Sequence, residues 1–175
     1  MTDPLTLRIW IYRAYYLALC LFILLWQILP LGFDEGSLPS PDLITALTLA
    51  WLLRHPNVVP LGAIAIVFLI SDFLTHAPVG LGALLIVLAS ESLRKRQPQI
   101  ENMTFLSEFG TVTIVILAVT LAERVLLTLL LADQPPFGEV ALHAIVTIAA
   151  YPALVVISKY LLGLDRLSAA DPDNV

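Results

Sequence analysis

The stretch Ile64–Gly82, IAIVFLISDFLTHAPVGLG, decides how the rest of the chain is read. An apolar run meets one ionisable residue, Asp72, just before a short turn through His76, Pro78 and Gly80. In water, an acid in that place is a surface residue at the end of a buried helix. The composition points to a different solvent. The chain is 59% hydrophobic and 13% charged, with a mean hydropathy of +0.91. Soluble domains are about one-quarter charged, so this chain lacks the polar surface to stay in water. An acid embedded in lipid needs a reason, and the remaining sequence has to supply its partners or explain why it needs none.

Outward from that stretch, HAPVG is too short for anything but an antiparallel return, so the runs before and after it are paired spans. Successive apolar runs give spans of roughly 10–31, 39–53, 58–74, 79–93, 111–132 and 140–164. They predict an all-α, polytopic membrane protein of about six transmembrane helices. Residues 1–166 form one integral membrane domain, and 167–175 form a flexible cytoplasmic tail. The first run has no cleavage site after it and reads as a retained helix. Arg8, Trp10, Tyr12, Arg13, Tyr15 and Tyr16 open that run as interfacial anchors.

The second and fourth spans are short. Fifteen residues rise about 22 Å, against a hydrocarbon core of roughly 30 Å. Pro39 and Pro41 suit the start of a helix, and Asp42 faces the positive end of its dipole. Trp51, Arg54 and His55 mark the opposite boundary, and Pro56 ends the segment. The stretch Gln97–Ser107 mixes charged and apolar residues as a short amphipathic helix on the inner surface does.

Charge placement orients the bundle. With six spans, Arg8, Arg13, Arg54, Arg94, Lys95, Arg96, Lys159 and Arg166 all fall on one side. The loops on the other side carry Asp34, Glu35, Asp133 and Glu139 and no Lys or Arg. The positive-inside rule then puts both termini in the cytoplasm, with Arg54, Arg94, Lys95 and Arg96 as topology markers. Only Arg124 dissents, from within a span. The net charge of −5 carries no message about nucleic acid, and the single Cys20 excludes an internal disulfide or a thiolate metal cage.

This topology gathers Asp72, His76, Glu123, Arg124 and His143 in the outer half of the membrane, from three helices. Intramembrane charges face the bundle interior or a wet cavity and tend to pair. Helical spacing puts Thr113, Thr120, Arg124 and Thr128 on one stripe, and His143, Thr147, Tyr151 and Ser158 on another. Arg124 with Asp72 is the expected pair. Two readings stay open: an interhelical clamp, or a pathway for a proton or solute. Glu91 sits three and four residues before Arg94 and Lys95, the spacing of a helical ion pair. Pro152 removes a backbone bond within the sixth span. No HExxH, GxSxG or phosphate-loop motif is present, no cofactor is indicated, and Asp72 with His76 is too small a set for a metal site.

The order of these features resembles the rod-shape-determining MreD family of bacteria. The likeness rests on Pro41-Asp42-Leu43, on Trp51-Leu52-Leu53-Arg54-His55-Pro56, and on Ile70-Ser71-Asp72-Phe73-Leu74 followed by Pro78-Val79-Gly80. Tyr151-Pro152 with Lys159 resembles the family's last helix. The resemblance implies a non-enzymatic subunit of the cell-wall elongation machinery, in the bacterial inner membrane. It implies MreC as a partner within the membrane, with MreB and a glycosyltransferase–transpeptidase pair in the wider complex. It also implies a fold like that of the substrate-binding subunits of vitamin importers. A small-solute transporter, or its binding subunit, is the alternative reading, supported by the short spans. The turn from Asp72 to Gly80 is expected to be a latch for assembly.

Overall fold

The computed structural model describes residues 4–28, 40–75, 78–96, 104–132 and 134–162. Among them it is all-helical: α1 (Pro4–Ile28), α2 (Leu43–Arg54), α3 (Leu61–Leu74), α4 (Leu81–Lys95), α5 (Phe105–Leu129) and α6 (Phe137–Leu162). The acidic loop with Asp34 and Glu35, His76, Asp133, residues 97–103 and the tail 167–175 lie outside the described residues. Three helices, α1, α5 and α6, are long and apolar enough to cross a membrane.

The core is built around α2, whose shortness has a simple cause. Every residue from Ile44 to Leu53 is buried, because α1, α4, α5 and α6 all pack against it. A helix apolar on all sides is a helix surrounded by protein, and one enclosed in this way need not match the lipid thickness. Asp42 caps its start: one carboxylate oxygen accepts the Thr45 N–H at 2.9 Å, and the other accepts the Thr45 hydroxyl. The Asp42 N–H in turn donates to Thr147 Oγ1 at 2.9 Å, which ties this end to α6. Trp51 is 1% exposed, and its indole N–H donates to Ser158 Oγ at 3.2 Å. The Tyr16 hydroxyl lies 2.9 Å from that of Thr48.

One face of α1 enters this core through Tyr16, Cys20, Ile23 and Leu24. Tyr16, expected among the interfacial aromatics, is a core residue because the same i, i+4, i+7 stripe carries it inward. Trp10, Phe22 and Trp26 remain exposed on the other face. Arg13 lies 5.1 Å from the Trp10 ring centre and donates to the Asn57 carbonyl at 3.1 Å.

The fifth helix starts earlier than expected, at Phe105 rather than near Thr111. Phe105–Ser107 therefore form its first turn and not a surface helix. Glu108, Val112 and Ile116 are its buried stripe, while Thr128 is exposed and donates to its own helix at the Arg124 carbonyl. The expected threonine stripe is thus displaced from the core by the apolar one. On α6 the expected inward face is present: Thr147, Tyr151 and Ser158 are buried, although His143 is not. The helix continues through Pro152.

The α5 end closes with N–H donations from Leu131 to Thr128 and from Ala132 to Leu127, at 3.2 and 3.1 Å. Leu131 pays for this closure with a left-handed backbone, φ 53°, a position that glycine normally takes. Its side chain is 93% exposed, so nothing is gained from its packing. Leu131→Gly is expected to raise stability by about 1 kcal/mol, read as a higher unfolding temperature in detergent. An unchanged or lower value would contradict this account of the turn.

Candidate functional site

The Asp72 turn comes first, because the acid in the apolar run has a partner other than the expected one. Asp72 is 7% exposed in the last turn of α3. One carboxylate oxygen accepts the backbone N–H of Gly80 at 3.0 Å and that of Ala83 at 3.1 Å. These are free donors at the start of α4, where the helix dipole also favours negative charge. Gly80 reaches this geometry with φ 92°, the left-handed region that glycine tolerates. A Cβ placed on Gly82 would stand 2.5 Å from the other carboxylate oxygen. The residues between Pro78 and Ala83 are therefore shaped around one side chain.

Arg124 does not pair with Asp72. Its guanidinium donates to the Pro135 carbonyl at 3.3 Å and lies 5.2 Å from the Phe137 ring centre. Both partners belong to the loop and first turn after α5, close in sequence and easily reached by a long side chain. Asp72 is satisfied by backbone N–H groups, so the turn does not require a cation.

Three of the five residues expected together do converge, while Asp72 does not line their cavity and His76 lies outside the described residues. A cavity of about 480 Å³ is lined by Glu123, Arg124 and His143, as expected, together with Pro78, Asp42 and Glu139. Ile116, Val119 and Ala144 give it an apolar wall, and Thr45, Thr120 and Thr147 add hydroxyls. Helices α2, α5 and α6 and the α3–α4 turn thus share one concave site, of a size typical for small ligands. Among the described residues no three His, Cys, Asp or Glu side chains come together as a metal site.

At the opposite end of the bundle lies a constellation that the sequence reading missed. Glu108 is wholly buried. Arg54 reaches it with two donors, Nε to Oε1 at 3.1 Å and Nη2 to Oε2 at 3.3 Å. The Tyr151 hydroxyl donates to Oε1 at 2.6 Å. Three helices, α2, α5 and α6, meet at this carboxylate. Arg54, expected as a boundary marker, has an internal partner as well. The signal that was available is the i, i+4 series Glu108–Val112–Ile116, which carries the apolar face of the fifth run back past Gly110.

Arg94 donates to the Val59 carbonyl, while Lys95 approaches Glu91 at 4.0 Å. The expected Glu91 pair is thus made with Lys95, on an exposed face where it contributes little. Lys95 and Arg96 are exposed. Pro152 is half-buried beside Tyr151. Comparison of the chain with protein-family models, with characterised proteins and with solved structures gives no match.

Proposed function

We propose that this chain is a non-enzymatic, multi-pass scaffold of the bacterial inner membrane, similar to the MreD subunits of the cell-wall elongation machinery. In this reading all six helices lie in the membrane with both termini cytoplasmic, and MreC is the partner met within it. MreB and the glycosyltransferase–transpeptidase pair join indirectly. The observation that supports the reading is what the resemblance-bearing residues do. Asp42 caps α2, Trp51 bonds α6, Arg54 holds Glu108, and Asp72 caps α4. Each of these contacts serves internal architecture, which is what a scaffold requires of them.

The orientation has its own support. Arg13 and Arg94 both bond the loop between α2 and α3, beside Arg54, so these three arginines gather at one end of the bundle. That end is cytoplasmic by the positive-inside rule. A tagged copy is expected to co-purify with an MreC-type, single-span protein from solubilised native membranes, and its depletion is expected to round the cells. Cells that keep their rod shape after depletion would sink this reading.

The 480 Å³ cavity favours a second reading, a binding subunit for a small solute. Loss of uptake of one solute on depletion, without a change of shape, would select it.

A further inference from the structure

The cavity has an unbalanced wall. Among the described residues, Asp42, Glu123 and Glu139 line it together with Arg124 as the lone arginine or lysine. That guanidinium is turned to the rim, held by the Pro135 carbonyl and the Phe137 ring. Asp42 is occupied by Thr45. Glu123 differs from both: it is half-buried and makes no hydrogen bond or ion pair among the described residues. A carboxylate in a partly dry site is costly until a positive group meets it. Beside it, Ile116, Val119 and Ala144 offer an apolar surface, and Thr120 and His143 offer hydrogen-bonding groups.

We infer that this cavity binds a small organic cation, its ammonium or guanidinium group held by Glu123 and its apolar body lying on Ile116, Val119 and Ala144. The inference rests on the cavity that also favours the solute-binding reading; its failure leaves the scaffold reading untouched and leaves the solute reading open only to a solute of another charge.

The test uses the full-length protein in detergent, with tyramine as the probe and tyrosol as its uncharged counterpart, which carries a hydroxyl in place of the amine. Calorimetric titration is expected to give saturable tyramine binding with a Kd of about 1 mM or tighter. Tyrosol is expected to bind at least ~10-fold more weakly, as is tyramine to Glu123→Gln. Glu139 is exposed, so Glu139→Gln keeps the fold and is expected to weaken tyramine about two- to threefold. Arg124→Gln removes the competing cation and is expected to tighten binding or leave it unchanged. Tyrosol binding as well as tyramine, no saturation by tyramine, or undiminished binding to folded Glu123→Gln would each overturn the inference. Should Glu123→Gln fail to fold, loss of tyramine binding in Arg124→Gln, or its full retention in Glu139→Gln, would do so.

Discussion

Arg54→Met is expected to destabilise the protein by about 3–5 kcal/mol, enough to unfold a marginal domain. The reason is the state of Glu108. Its side chain is 0% exposed, and that of Arg54 is 10% exposed, so water cannot replace the guanidinium once it is gone. Arg54 donates to the carboxylate twice, at 3.1 and 3.3 Å, and supplies its guanidinium charge, while the Tyr151 hydroxyl that also donates is neutral. Removing one partner of a buried pair leaves the other as an uncompensated charge. Glu108 must then take up a proton or draw the first turn of α5 toward solvent.

The same reasoning predicts partial recovery. Replacing both residues, Arg54→Met with Glu108→Met, removes the charge and its desolvation together, and buried ion pairs exchanged for apolar groups are often neutral in stability. The double variant is expected to regain most of the loss, with a coupling of about 2–3 kcal/mol in the cycle. Tyr151→Phe, which deletes one bond to a charged acceptor, is expected to cost about 1.5–3 kcal/mol. Thermal unfolding in a single detergent reads all of these. A double variant no more stable than Arg54→Met would show that the pair is not the source of the loss.

The contrast between the two ends of the bundle explains what the sequence made legible. Apolar runs and their flanking bases are local signals, so the order of the six helices and the α3–α4 return were readable from Ile64–Gly82 and its neighbours. The convergence of Glu123, Arg124 and His143 followed from topology alone, since antiparallel helices of known order bring those depths together. Partner choice was not local. Arg54, Glu108 and Tyr151 are joined across separations of 54 and 43 residues, and no spacing rule links them. The central place of α2 was hidden for a related reason: a run buried by protein and a run buried by lipid have the same composition. Asp72 was assigned a side-chain partner because charges invite charges. Free N–H groups at a helix start carry no mark in the sequence beyond the glycine that permits the turn.

That turn gives a prediction whose sign depends on a second residue. In an ordinary helix Gly→Ala stabilises by about 1 kcal/mol. Gly82→Ala is expected to do the opposite here, lowering stability by about 2 kcal/mol. The added Cβ would meet an Asp72 oxygen at 2.5 Å, and the carboxylate is held in place by its other oxygen through Gly80 and Ala83. To make room the carboxylate must swing away, and its two donations from Gly80 and Ala83 are lost or weakened, together a loss of about 3 kcal/mol. That loss exceeds the gain in helix propensity. Asp72→Ala removes the same bonds directly and is expected to cost about 2–4 kcal/mol. The three atoms nearest that Cβ position all belong to the Asp72 carboxylate, so on the Asp72→Ala background Gly82→Ala is expected to become neutral or stabilising by up to about 1 kcal/mol. Additive losses in the double variant would mean that Gly82 serves some contact other than Asp72. A reversal of sign would identify the glycine as the space reserved for the acid, and the acid as the cap of α4.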